Sequence, residues 1–145
     1  MDSLKLLALD GDDLAVVSAH LQDAVFKIGD VSWDARHGVF TLAVNRFVWE
    51  TAGSRGKAFE RRRAMITFKR VRAVRAIGID RNDRDAVLSL LAIRFAPEGE
   101  GPEGTVELVM SGNAQFALDV ECIESQFADV GGAWETSLKP QHPAS

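Results

Sequence analysis

Two stretches of the chain alternate apolar residues with polar or small ones, and this period of two constrains the fold more than any other feature. Phe40, Leu42 and Val44 would share one face of the first stretch, and residues 114–120 repeat the pattern. Successive side chains of a strand point to opposite sides of a sheet, so each stretch predicts a half-buried strand. Antiparallel sheets commonly bury one face in this way.

Turn residues separate further apolar runs, which predicts hairpins. A polar turn lies between residues 31–33 and 39–44, and Gly112-Asn113 lies between residues 105–110 and 114–120. The run 87–95 is apolar on both faces and predicts a central strand. The predicted strands comprise residues 4–9, 31–33, 39–44, 61–79 (as one strand or two), 87–95, 105–110 and 114–120.

Apolar residues at three- and four-residue spacing predict two helices. The first follows an N-cap signal at residues 10–13, carries an apolar stripe and ends at Gly29. The second begins near Glu121 and ends at Gly131-Gly132. The two stripes are Leu14, Val17, Leu21, Ala24 and Ile28, then Ile123, Phe127 and Val130.

These elements predict an α+β fold: a bent, mostly antiparallel sheet of about seven strands with an N-terminal and a C-terminal helix. A C-terminal helix after a run of hairpins resembles pleckstrin-homology-like barrels, so a partly closed barrel is an alternative. The length of 145 residues and the apolar fraction of 46% fit one domain. We expect that domain to span residues 1–138, with a frayed tail at 139–145.

Positive charge is concentrated in one part of a chain whose net charge is −4. Residues 55–75, the basic segment, hold nine of the 17 Lys and Arg and one acid, Glu60. Three interpretations are open: pairing with the chain's own acids, binding of nucleic acid or another polyanion, and binding of an acidic protein partner. The candidate binding residues are Arg61, Arg62, Arg63, Lys69, Arg70, Arg72 and Arg75.

The motifs of catalysis and metal binding are incomplete in this sequence. Residues 53–57 contain Gly56-Lys57 but not the other positions of a phosphate-binding loop. The single Cys122 and the three His lie far apart in sequence, which gives no zinc spacing. The sequence therefore predicts no catalytic residue, no metal and no cofactor.

The chain has no apolar run near the ~18 residues that a membrane-spanning helix needs, and its first residues lack the basic region of a signal peptide. A cytoplasmic protein with no membrane partner is expected, and a homo-oligomer is left open.

Five segments of the chain carry a family resemblance: Asp13–Ala24, Asn45–Phe47, Gly78–Arg81, Leu88–Phe95 and Glu121–Glu124. Together they resemble an uncharacterised bacterial family of short stand-alone proteins, classed as a domain of unknown function. The resemblance covers nearly the whole chain and implies a cytoplasmic protein, but it carries over no activity, cofactor or catalytic residue.

The function is therefore unknown from sequence, and three hypotheses are ranked. A non-enzymatic binding or scaffolding module comes first, because no chemical motif is complete. A nucleic-acid or polyanion-binding accessory protein acting through residues 55–75 comes second. An enzyme whose site is assembled from distant residues comes third.

Overall fold

The computed structural model describes the backbone of residues 4–48 and 59–136, and the side chains of residues 4–48 and 61–130. Within these ranges the chain forms ten strands, one α-helix and one short 3-10 turn. They are β1 (Lys5–Ala8), α1 (Gly11–Leu21), β2 (Ala24–Lys27), the 3-10 turn (Ile28–Asp30), β3 (Val31–Asp34), β4 (Val39–Phe47), β5 (Phe59–Phe68), β6 (Val71–Ile77), β7 (Val87–Pro97), β8 (Gly104–Met110), β9 (Ala114–Val120) and β10 (Ser125–Thr136).

All ten strands join one antiparallel sheet in the order β1-β10-β5-β4-β2-β7-β8-β9-β6, and β3 pairs with β4 beside this path. The sheet is not closed, since β1 and β6 are its outer strands. The predicted antiparallel sheet, the two hairpins and the central position of β7 are confirmed. The prediction of about seven strands is wrong, because β2 and β10 were assigned to helices and residues 61–79 form two strands.

The core lies on the concave side of the curled sheet. Phe40 on β4 and Phe116 on β9 are four strands apart along the path, yet their ring centroids lie 5.3 Å apart. The sheet must therefore bend back on itself to bring them together. Helix α1 lies against β7 and β1, and its Ser18 hydroxyl accepts a hydrogen bond from the Ile93 amide at 2.9 Å.

The first helix begins where its cap predicts and ends earlier than its apolar stripe predicts. The Asp10 side chain accepts a hydrogen bond from the Asp13 amide at 2.8 Å. The helix ends at Leu21 because Asp23 adopts a positive φ of 65°. Residues 24–27 then continue as β2, with Ala24 and Phe26 buried on one face. Ala24 and Ile28 thus fit a helical stripe only by coincidence of spacing.

The predicted C-terminal helix is wrong, since residues 125–136 form the strand β10. Up to residue 130, where its described side chains end, the buried ones alternate as Ser125, Phe127 and Asp129, while Val130 is 55% exposed. Because two of the inward residues are polar, the sequence shows no alternation of apolar residues here. The three-residue spacing of Phe127 and Val130 then fits a helix. Without that helix, the resemblance to a pleckstrin-homology-like barrel loses the feature on which it rested.

The segment 61–79 contains a corner rather than one straight strand. β5 ends at Phe68, Arg70 takes a positive φ of 61°, and β6 begins at Val71. The Val71 amide donates to the Gly38 carbonyl at 3.0 Å, which ties the start of β6 to the turn between β3 and β4. The two strands pair with different neighbours, β5 with β4 and β10, and β6 with β9.

Candidate binding site

A pocket of about 160 Å³ lies between the two strands β3 and β6. Its walls are formed by the inward, half-buried side chains of each strand, and the tilted rings of Phe40 and Phe116 contribute to its lining. We call it the β3–β6 pocket; it is lined by Ile28, Val31, Trp33, Phe40, Val74, Ala76, Arg81, Arg84 and Phe116.

Backbone hydrogen bonds fix both ends of this pocket. At one end the Val71 amide donates to the Gly38 carbonyl. At the other end the Gly29 amide donates to the Arg84 carbonyl at 2.8 Å, and Arg84 Nη2 donates to the Gly29 carbonyl at 3.3 Å. Because both ends are bonded, the opening between β3 and β6 is built into the fold.

The chemistry of the pocket is apolar with a positive margin. Seven of its nine lining residues are apolar, and the other two are the arginines Arg81 and Arg84. No carboxylate lines it among the residues that the structure describes. An apolar cavity of roughly 150 Å³ is large enough to hold benzene, so this pocket fits one aromatic or branched aliphatic group carrying a negative charge.

The basic segment is divided by the corner at Arg70. Arg61 and Arg63 are half-buried on one face of β5, as predicted for alternate residues of a strand. Arg62 lies on the opposite face, inside the core, and is 6% exposed. Residues 55 and 57 of the segment, and the Gly56-Lys57 pair, lie outside the described residues. The predicted cluster is therefore two groups, one on β5 and one around β6.

Several candidate cations have carboxylates within ion-pair distance. Arg75 donates to Asp119 at 2.9 Å, and Arg63 lies 3.9 Å from Asp30. The Arg70–Glu121 and Arg72–Glu98 pairs are each 3.7 Å apart, and their four side chains are exposed. These contacts favour pairing with the chain's own acids as the role of those four arginines.

Two arginines of the basic segment have shifted pKa values. Burial lowers the pKa of Arg61, and the nearby Asp23 carboxylate offsets part of that effect. A side-chain hydrogen bond to Cys122, with the charge of Glu121 next in size, raises the pKa of Arg70. Both guanidinium groups stay charged at neutral pH, so neither acts as an acid or base there.

A buried ion pair lies at the end of β4 and was not predicted. Arg46 Nε and Nη2 donate to the two oxygens of Asp129 at 2.8 and 3.0 Å, and both side chains are 0% exposed. The Leu4 amide donates to the same carboxylate at 2.9 Å, and the Arg46 guanidinium lies 5.4 Å from the Phe127 ring centroid. Arg62 is the cross-strand neighbour of Arg46. This cluster fastens β1, β10 and β4 together.

The other groups considered as chemical candidates lie apart. His20 stacks on Phe127, whereas His37 bonds Asp34 at 2.8 Å in the turn after β3. Cys122 is half-buried beyond β9. Among the described residues no three His, Cys, Asp or Glu gather as metal ligands. No helix in the described part of the chain is long and apolar enough to cross a membrane.

Sequence reasoning missed the β3–β6 pocket. Arg81 and Arg84 lie in a loop with three acids, a composition that gives no sign of a binding site, and Trp33 was predicted only as part of a strand. One sequence signal did point to this face of β3: Val31 and Trp33 are large apolar residues at alternate positions, which places them on the same side of the strand. Nothing in the sequence showed that β6 would return to face them.

Comparison with known proteins places the chain in an uncharacterised group. A family described as "Protein of unknown function (DUF2948)" matches residues 4–142. No curated protein and no solved structure matches. The predicted resemblance to a domain of unknown function is confirmed.

Proposed function

The chain belongs to the DUF2948 family, whose description carries no activity, and we propose that it is a non-enzymatic binding module that holds an apolar group of an acidic partner in the β3–β6 pocket. This proposal retains the first of the three hypotheses drawn from the sequence. It also retains cytoplasmic location and bacterial origin as predictions from the resemblance.

One observation carries the proposal: a preformed apolar pocket whose two charged lining residues are both arginines. An apolar group entering the pocket loses its contact with water, which is favourable by about 25 cal/mol per Å² of buried apolar surface. A carboxylate attached to that group would meet Arg81 and Arg84, with no carboxylate among the lining residues to repel it. Guanidinium groups bind carboxylates through paired, charge-assisted hydrogen bonds.

The lining supports binding rather than catalysis. None of its nine residues, all of them described, is a Ser, Cys, His, Asp or Glu. Nucleophiles and general bases come mainly from those residue types. The volume is also below the roughly 300–1,000 Å³ of pockets for drug-sized ligands, which fits an anchoring side chain better than a cofactor.

Phenylacetate is a suitable probe, because it joins a benzene ring to a carboxylate. We expect it to shift the Trp33 indole and Ala76 amide resonances of ¹⁵N-labelled protein in a saturable way, with Kd on the order of 1 mM for so small a ligand. Phenethylammonium has the same ring and the opposite charge, and should not saturate. Equal shifts from the two probes, or none from phenylacetate, would show that the pocket is not an anionic-anchor site.

Matched variants locate the binding. Ala76→Phe places a ring in the pocket and should abolish the phenylacetate shifts, whereas Ala73→Phe, exposed on the same strand, should not. Arg81→Glu should weaken binding, and Arg94→Glu, exposed on β7 and outside the lining, is its charge-matched control. Loss of binding in the control variants would contradict the assignment.

Polyanion binding through the basic segment is the second candidate. Arg61 and Arg63 favour it, since they share one half-buried face of β5 and Arg63 approaches Asp30 only at 3.9 Å, the longest of the ion pairs described above. Arg62 must be left intact, because it is buried. We expect Arg61→Ala with Arg63→Ala to reduce any binding of labelled oligonucleotides measured by fluorescence anisotropy at two salt concentrations. Salt-independent binding, or no binding at low salt, would remove this candidate.

A further inference from the structure

Strand β6 is the outer strand at one end of the sheet, and one of its two edges borders the β3–β6 pocket. Within the described residues it pairs only with β9, and its register with β9 is regular from Ala73 to Ile77. Only Val71, at its start, bonds across the opening, to Gly38. In an antiparallel strand alternate residues direct both backbone groups to the same side, so β6 presents a row of unpaired donors and acceptors there.

The side chains of β6 would contact an added strand on both of its faces. Val74 and Ala76 face the pocket. Arg75 points outward with its side chain 57% exposed; its Nη2 donates to Asp119 at 2.9 Å, and the guanidinium has further N–H groups with which to meet a second carboxylate. A segment laid beside β6 would direct every second side chain toward the pocket and the others toward Arg75. Apolar residues suit the first set and acidic residues suit the second.

We infer that the partner is an extended polypeptide segment with alternating acidic and apolar residues, which adds as a strand to the free edge of β6. The inference rests on the proposed function, since it identifies the molecule that carries the apolar anchor. Strand addition supplies main-chain hydrogen bonds along the edge, and the pocket supplies specificity for one side chain. Arg81 and Arg84, in the loop after β6, meet the acidic residues at that end.

The test uses acetyl-Glu-Leu-Glu-Phe-Glu-amide, a peptide as long as the stretch Ala73–Ile77 that lies between the two bonded ends of the opening, and isothermal titration at low salt. Its amides are then N-methylated one at a time. Every second N-methyl group should weaken binding about tenfold, and the intervening ones should have little effect, because only alternate amides of the peptide would face β6. Uniform effects along the peptide would overturn strand addition whatever the register.

Amide exchange in the protein gives an independent measurement. The peptide should slow exchange at alternate residues between Ala73 and Ile77 and leave β1, the outer strand at the other end of the sheet, unchanged. Protection of both outer strands would indicate non-specific edge pairing and would also overturn the inference. A peptide of the same composition with its acidic and apolar residues grouped should bind at least tenfold more weakly, and equal affinity would count against it.

The two proposals fail in different ways. If phenylacetate binds and Ala76→Phe blocks it, but N-methylation shows no alternation, the pocket function stands and strand addition is wrong. If the alternation is present but Ala76→Phe binds the peptide as well as the Ala73→Phe control does, strand addition stands and the anchor pocket is wrong. If neither probe binds, both proposals are wrong.

Discussion

Removing one partner of the buried Arg46–Asp129 pair should destabilise the fold strongly. Both side chains are 0% exposed, and the carboxylate accepts two hydrogen bonds from Arg46 and one from the Leu4 amide. Truncating one partner leaves the other charge buried without that counter-ion, for which about 3–5 kcal/mol is typical. Asp129→Leu and Arg46→Met should each lose about that much of a total stability of roughly 5–15 kcal/mol.

The double variant should be far less destabilised than the sum of the two. Replacing a buried ion pair by apolar residues of similar volume is often neutral, and the Leu4 amide, which loses its acceptor, adds a cost of about 1–3 kcal/mol. We therefore expect a coupling energy of about 3 kcal/mol or more between Arg46 and Asp129. Urea unfolding followed by far-ultraviolet circular dichroism measures all four free energies, provided that the m-value is unchanged.

The exposed pair Arg75–Asp119 is the matched control for this cycle. Its N–O distance is 2.9 Å, close to that of the buried pair, but its side chains are 57% and 37% exposed. Arg75→Ala and Asp119→Ala should show a coupling energy of about 0–1 kcal/mol. Additive losses at Arg46 and Asp129, within about 0.5 kcal/mol, would refute the argument that burial makes that pair interdependent.

Two further changes test local geometry. Gly38→Ala would place a Cβ 2.8 Å from the Val71 carbonyl oxygen of β6 at a φ of +66°, and should destabilise the protein by roughly 2–4 kcal/mol. Its control, Gly99→Ala, has a φ of +77° but open space around the Cβ, and should destabilise by roughly 1–2 kcal/mol. Equal urea midpoints for the two variants would contradict the close contact at Gly38. His37→Ala removes the side-chain hydrogen bond that lowers the pKa of Asp34, so that pKa should rise toward 3.8 in a ¹³C carboxyl titration. The stability from this contact is present above pH 3.8 and is lost as the pH falls through the lower folded pKa of Asp34, so an unchanged pKa in the variant would refute the assigned cause.

The strands with the clearest period of two are those whose inward residues are all apolar. β4 up to Val44, β8 and β9 bury apolar side chains at alternate positions, and their hairpin turns lie where turn residues predict them. In these elements the local pattern and the tertiary environment agree. No long-range information is needed to assign them.

The strands that escaped prediction carry polar residues in the core or follow a helix directly. β10 turns Ser125 and Asp129 inward, and the partner that makes burial of Asp129 tolerable is Arg46, far away in sequence. β2 begins immediately after the left-handed Asp23, and a single positive φ is not encoded by any pattern of apolar residues. Both errors come from interactions that only the folded chain contains.

The candidate site could not be predicted for a topological reason. Its walls come from β3 and β6, which are neighbours only because the sheet curls until its free strands face each other. Hydrophobic periodicity assigns a residue to a face but not to a neighbour outside its own strand. The pocket follows from the curvature of the whole sheet.

Charge density along the chain likewise does not decide which cations are available to a partner. In the basic segment, the pairing of β6 with β9 places Asp119 beside Arg75. Arg62 is buried in the core. The loop that contains Arg81 and Arg84 has three acids and two bases, so its composition gives no sign of a positive site. Yet those two arginines line an apolar pocket in which no described residue offers a carboxylate. Whether an arginine can bind a partner depends on whether a carboxylate of the same chain lies opposite it, on the neighbouring strand or across the pocket. For this reason Arg81 and Arg84, although they lie in an acidic loop, are the stronger candidates for binding an acidic partner.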